Sequence, residues 1–164
     1  MSLAQSAITI VGIDPGYDRL GWAIGTARGR KLSLVAHGSI QTSAKLPMML
    51  RYQHIHTQLK VVLDQYQPNQ AAVEELFFST NKKTALRVSE VRGLIIGLLL
   101  DQAIAVFEYH PQSIKLAVTG HGKADKLAMA KQLQLELGVD ASLLDDELDA
   151  IAITLTHALT HGVS

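Results

Sequence analysis

The 164-residue sequence has no cysteine, which excludes a disulfide framework, a thiolate zinc site and a cysteine nucleophile. It also lacks a long hydrophobic run. The most apolar stretch, Gly93 to Leu100, stops at Asp101-Gln102, far short of the roughly 20 residues a membrane-spanning helix needs. No basic segment precedes the apolar stretch Ala7 to Ile13 and no cleavage signal follows it, so a leader peptide is not read there. These absences predict a soluble, cytoplasmic protein without a membrane partner. Linkers, low-complexity runs and internal repeats are missing too, and residues 1–164 read as a single domain. With 48% hydrophobic and 18% charged residues, the chain is not a disordered one. It is long enough to bury a core without crosslinks.

Net charge is the last absence. Fifteen basic residues balance fifteen acidic ones, and nucleic-acid-binding domains usually carry a basic excess. The balance is segregated, however. Every Lys and Arg lies in residues 1–131, which carry +6, whereas residues 132–164 hold Glu136, Asp140, Asp145, Asp146, Glu147 and Asp149 with no base.

Strands are predicted at Ile8–Ile13, Gly21–Thr26 and Leu32–Ile40, joined by the turn signals Asp14-Pro15-Gly16 and Ala27-Arg28-Gly29-Arg30, as an antiparallel meander. Ile55, Leu59, Val62, Leu63 and Tyr66 then share a helical face, so Pro47 to about Gln67 reads as a helix that Pro68 ends. A short buried strand, Ala71–Val73, leads into Glu74-Glu75. A second long helix runs from about Lys82 to Gln102, followed by a strand at Ile104–Tyr109. Helices follow at Pro111–Val118, Lys123–Leu137 and Asp146–His161, the last with Asp145 as N-cap and Gly162 as stop. The expected class is α/β, a mixed sheet with helices packed on it.

Three places concentrate carboxylates. Asp14 ends a buried strand before Pro-Gly, the edge where open α/β sheets bind ligands; a plain Asp-capped turn explains it equally well. Glu74 and Glu75 follow Ala71-Ala72-Val73 and precede Leu76, Phe77 and Phe78. A carboxylate within such an apolar run is costly unless a cation or a cleft receives it. Asp145, Asp146, Glu147 and Asp149 open the last helix. Capping needs one acid, and like charges on one face repel by about 0.2–0.5 kcal/mol per pair. Acids from two strands and a helix form a donor set suited to Mg²⁺, which takes hard oxygen ligands, water and substrate phosphate.

In the order and spacing of these motifs the sequence resembles the RuvC-type Holliday junction resolvases of the ribonuclease H-like superfamily. The likeness rests on Ile13-Asp14-Pro15-Gly16 with Gly21, on Val73-Glu74-Glu75-Leu76-Phe77, and on Asp146-Glu147-Leu148-Asp149 before an Ala-rich helix. It runs from about Ile8 to His157. It implies a ribonuclease H-like fold, a mixed five-stranded sheet with helices on both faces. It implies that Asp14, Glu74, Asp146 and Asp149 are the catalytic carboxylates, holding two Mg²⁺ per subunit, with Mn²⁺ as substitute. The same resemblance selects Asp146 over Asp145 and Glu74 over Glu75. The implied reaction is paired nicking of four-way junction DNA, leaving 5′-phosphate and 3′-hydroxyl ends. Phe77 matches an aromatic that stacks on unpaired bases, and Lys115 and Lys126 match basic positions near the scissile phosphate. A homodimer is implied, and a branch-migration helicase complex is a possible partner.

Beside these, Lys123 at a helix start offers a phosphate contact, and Lys82, Lys83, Arg87 and Arg92 offer weaker ones. Gly93 and Gly97 interrupt the second long helix, where each costs up to about 1 kcal/mol relative to Ala. Close approach of another backbone explains them, either a partner subunit or this chain's own sheet. His121, His157 and His161 have no assigned role, although a histidine near the last acids is able to activate water. Asp18 and Glu75 depart from the family pattern, as does the neutral charge. Two other readings fit parts of the chain. One is a non-catalytic junction binder, which gains nothing from four acids facing phosphate. The other is an actin-like or sugar-kinase ATPase, for which the chain lacks the duplicated domain.

Overall fold

The computed structural model describes residues 6–76 and 82–161. Phe77, expected to stack on bases, lies outside the described residues, as do Phe78 and the expected helix stop at Gly162. β1 (Ile8–Asp14), β2 (Arg19–Arg28) and β3 (Lys31–Gln41) form the predicted antiparallel meander. Gly29, at φ 56°, makes the left-handed turn between β2 and β3. Helix α1 (Met48–Tyr66) follows Pro47 and ends where Gln67 turns left-handed just before Pro68. β4 (Gln70–Glu74) then pairs parallel to β1, and after α2 (Lys82–Asp101) β5 (Ala105–Tyr109) pairs parallel to β4. The result is one mixed five-stranded sheet in the order β3-β2-β1-β4-β5, closed by α3 (Pro111–Thr119), α4 (Lys126–Leu137) and α5 (Asp145–His161).

Helices cover both faces, as the resemblance implied. Val11, Ile13 and Leu20 pack under α1 and α2 with Ile55, Leu59 and Ile95. Ile10 and Ala23 face the other way, onto α5 and its neighbours α3 and α4. Two-sided burial is why β1 and β4 read as continuous apolar runs rather than alternating ones. Burying each of these large side chains contributes roughly 1.5–3 kcal/mol.

The position of α5 depends on missing side chains beneath it. A Cβ on Gly12 would lie 2.1 Å from Thr154 Oγ1, and one on Gly21 would lie 1.9 Å from the Asp146 carbonyl oxygen. With hydrogen there instead, α5 lies directly against β1 and β2. Every residue from Ala150 to Ala158 is buried, and the polar ones among them are satisfied: Thr154 and Thr156 donate to the carbonyls four residues back, and both ring nitrogens of His157 have partners.

Three expectations change. α4 begins at Lys126, not Lys123, because Asp125 caps it: its side chain accepts the Ala128 N–H. Lys123 lies in the preceding turn, and the helix terminus it was to share with phosphate is already occupied. Asp145 is not an N-cap but the first residue of α5, and its carboxylate pairs with Lys126 Nζ at 2.6 Å. Finally, a Cβ on Gly93 or Gly97 would meet nothing within 4 Å among the described residues. Packing against the chain's own sheet therefore does not explain these glycines.

Candidate active site

β1 and β4 run parallel as neighbours, so Asp14 and Glu74 emerge from the same edge of the sheet. The first turn of α5 crosses that edge and adds Asp146 and Asp149. One cavity, of about 310 Å³, is lined by Asp14, Tyr17, Asp18, Arg19, Asp146 and Asp149 among others. An adjoining one, of about 440 Å³, is lined by Glu74, Lys115 and Leu148 over an apolar floor of Ile114, Leu133 and Met129. Lys126, Asp145 and Asp149 border both, so the two cavities share a wall made of one lysine and two acids and together form an acidic cleft.

The acids perturb one another. Burial pushes the Asp14 carboxyl up to about 8, with Asp149, Glu74 and Asp146 reinforcing the shift and Lys126 opposing it. Burial and then Asp149 push Glu74 up to about 7, opposed by Lys115. Asp149 is also raised, chiefly by burial, with Asp145 and Asp146 adding to it against Lys126 and Lys115. Asp145, exposed and bonded to Lys126, is held below the usual carboxylate range. A buried cluster of mutually raised acids must take up protons or a cation.

Asp146 is fixed from the side. Its Oδ2 accepts a hydrogen bond from Ser39 Oγ on β3. Its Oδ1 is buried without a hydrogen-bond partner among the described residues, and Arg19 Nε lies 3.6 Å from it. Two residues along β3, on the same face, His37 Nδ1 lies 3.1 Å from Glu147 Oε1. Sequence reading missed Ser39, Arg19 and His37. For Ser39 and His37 the available signal was the alternation of polar residues along β3, which describes any half-exposed strand, and Arg19 at the start of β2 carried none.

An oxygen-only donor set, partly buried and carrying an orphaned carboxylate oxygen, fits Mg²⁺ or Mn²⁺. Among the described residues no three acidic or histidine side chains stand close enough together to hold an ion as they are. The acids share a cleft rather than a closed cage, as mutual repulsion requires. Mg²⁺ tolerates this, since it needs only one or two carboxylates and keeps several waters.

The remaining candidates are scattered. Lys115 and Lys126 flank the cleft. Lys82 and Lys83 are exposed at the start of α2. Arg87 pairs with Glu90 at 2.9 Å. Arg92 bonds to the Glu74 carbonyl at 3.0 Å and pairs with Glu108. Asp18 pairs with Arg51, and Glu75 is exposed. His121 is exposed in the turn after α3. His157 is fully buried, its Nδ1 2.6 Å from the Tyr109 hydroxyl and its Nε2 2.7 Å from Gln70 Oε1. Burial pulls it down to about 4, with His161 adding to the shift. It is therefore a neutral core imidazole with both nitrogens engaged, not a base for activating water.

Residues 10–157 match the family model for the crossover junction endodeoxyribonuclease RuvC. The crossover junction endodeoxyribonuclease RuvC of Brachyspira hyodysenteriae is 43% identical over 148 residues, covering 90% of this chain and 92% of the relative. The Chloroflexus aggregans protein of the same name is 40% identical over 151 residues, covering 92% of each. Among solved structures, Thermus thermophilus RuvC in complex with Holliday junction substrate superposes with a TM-score of 0.87 at 32% identity, covering 93% of both chains. The yeast mitochondrial Holliday junction resolvase Ydc2, at a TM-score of 0.67 and 12% identity, shares the fold.

Proposed function

The chain belongs to the family of RuvC crossover junction endodeoxyribonucleases, and from that premise we propose that the carboxylate cleft is where it cuts DNA. The protein is a nuclease that resolves Holliday junctions, and neither the non-catalytic binder nor the ATPase reading is favoured. The observation that carries the assignment of the site is Asp14. It is a carboxylate at the end of a central strand, pushed up to about 8 by burial and by the three other acids facing it.

In this reading Asp14, Glu74, Asp146 and Asp149 hold two Mg²⁺ per subunit, for which Mn²⁺ substitutes. When bound, the metal supplies Lewis-acid stabilisation of charge on the phosphodiester and lowers the pKa of water. The chain's own groups bring the phosphate to that point. Lys115, and Lys126 once it exchanges Asp145 for phosphate, neutralise non-bridging phosphate oxygens, while the apolar floor between α3 and α4 keeps water from the far side. Hydrolysis breaks the bond to the 3′ oxygen and leaves 5′-phosphate and 3′-hydroxyl ends. Lys82, Lys83 and Lys123 add backbone contacts further out, and Phe77 supplies a stacking surface. Arg87, tied to Glu90, contributes only after leaving that partner.

The test compares a four-way junction with linear duplex of the same sequence, with and without Mg²⁺. We expect paired nicks in the junction at least tenfold faster than any duplex cleavage, and none in EDTA. Junction binding without cleavage in Mg²⁺ would favour the binder.

The protein acts as a homodimer, and α2 provides the contact. Leu86 (65% exposed) and Leu100 (62% exposed) stand on this helix with the bare backbone of Gly93 and Gly97 between them. Two such faces approach closely because nothing projects at the glycines, and two-fold symmetry then offers one site to each of two strands. Replacing both Leu86 and Leu100 by Glu is expected to give a monomer by sedimentation, with paired cuts becoming single nicks. A dimer of unchanged mass would remove α2 from the interface. Cytoplasmic residence and a branch-migration helicase as partner complete the proposal.

A further inference from the structure

We propose that Ser39 is a positioning residue for catalysis: its hydroxyl, donated from β3, sets the rotamer of Asp146 so that the second carboxylate oxygen faces the cation. The inference rests on the reading of the cleft as the metal site. Asp146 is 6% exposed, and its two oxygens have different surroundings. Ser39 Oγ donates to Oδ2, whereas Oδ1 is buried with no hydrogen bond. A buried carboxylate oxygen left without a donor is costly, and a carboxylate free to turn would exchange its two oxygens. The serine bond makes them inequivalent and fixes the carboxylate, with Oδ1 left over, in the wall of the cavity that Asp14 and Asp149 also line.

The backbone around this contact leaves Asp146 little other freedom. Gly21 lies directly under its carbonyl oxygen, so the first turn of α5 rests on β2. His37 holds the neighbouring Glu147 at 3.1 Å from the same face of β3, which pins that turn at a second point. With the main chain fixed, the side-chain torsions of Asp146 remain, and Ser39 settles them. Arg19 approaches Oδ1 at 3.6 Å from an arginine side chain that is 48% exposed. It is a loose ion pair that a divalent cation displaces, whereas the serine bond to Oδ2 can persist beside a bound ion. Partners that orient a metal-binding carboxylate in this way typically alter affinity or activity by 10–100-fold.

The experiment measures Mn²⁺ binding by electron paramagnetic resonance and, separately, the Mg²⁺ dependence of junction cleavage, for wild type, Ser39→Ala and Ser39→Thr. In Ser39→Ala we expect Mn²⁺ affinity to fall about tenfold, with the half-saturating Mg²⁺ concentration for cleavage rising by a similar factor. Cleavage should recover at saturating Mg²⁺. Ser39→Thr keeps the hydroxyl and should restore both readouts to within about twofold. A purely structural role for Ser39 would instead lower the melting temperature in EDTA and leave metal affinity unchanged, which would overturn the inference. So would a Ser39→Thr protein as impaired as Ser39→Ala. Wild type failing to bind Mn²⁺ at all would overturn the metal site itself, an outcome distinct from the other two.

Discussion

Asp14→Asn should cut four-way junctions at least about 10³-fold more slowly than wild type, a loss of about 4 kcal/mol in transition-state stabilisation, while binding them as well or better. The substitution preserves shape and removes the one carboxylate on which burial and all three other acids converge. What disappears is anionic charge where a cation must sit against a phosphodiester. Binding should survive because the lysines that meet phosphate are untouched, and one fewer negative charge then faces the DNA. Asp18→Asn and Glu75→Gln are the matched controls. Asp18 is paired with Arg51 and Glu75 is exposed, so both should cut within a few-fold of wild type. Gel assays of cleavage and of junction mobility separate the outcomes. An Asp14→Asn protein that cuts at the wild-type rate would place the chemistry elsewhere.

The Mg²⁺ concentration required for cleavage should fall 10- to 100-fold as the pH rises from 6.5 to 8. Asp14 and Glu74 are pushed up to about 8 and about 7, so below these values a cation must displace one or two protons. Each proton displaced changes apparent affinity about tenfold per pH unit. Stability of the metal-free protein should move the opposite way. The folded-state values of these two acids lie above their unfolded ones. Their contribution is therefore complete at low pH and is lost as the pH rises through about 8. His157 has the reverse sign. Its folded value of about 4 lies below the ordinary 6.5, so its contribution is present above pH 6.5 and is lost as the pH falls towards 4. Between pH 6.5 and 8 the acids therefore act alone. Melting temperatures in EDTA should fall across that window, Mg²⁺ should abolish the fall, and Asp14→Asn should flatten it. A melting temperature in EDTA that does not vary between pH 6.5 and 8 would contradict the raising of Asp14 and Glu74 by burial and by the neighbouring acids.

The order and type of the elements were legible because each carries a strong local signal. β-branched runs end at Asp14 and Glu74, helical faces repeat along α1 and α2, and Pro47 and Pro68 bracket α1. Boundaries failed where two local signals competed. Lys123 falls within the period of α4, but Asp125 is the better cap and the backbone obeyed it. Asp145 looked like a cap for α5, yet a lysine from a separate helix claimed its carboxylate, which no spacing along the chain reveals. The carboxylates of the cleft were visible as unexplained acids. The groups that surround them were not, because Ser39 and Asp146 are 107 residues apart and a serine on a half-exposed strand has no distinguishing pattern. The charge balance also takes on meaning in three dimensions. Of the six acids beyond residue 131, Asp145, Asp146 and Asp149 line the cleft, so half of that acidic segment's charge is gathered at the proposed cation site. Only Lys115 and Lys126 among the described lysines line the two cavities, and junction binding is expected to show a shallow slope of log affinity against log salt.

Helix α5 has one more consequence. A helix buried on every side from Ala150 to Ala158 cannot tilt or slide as a body without opening the core it fills. Asp146 and Asp149 stand within one turn of that buried span, so half of the acid set is anchored to the core rather than carried on a surface loop. Shape adjustment to a distorted four-way junction must then come from elements across the cleft, because this jaw of the enzyme is effectively an anvil.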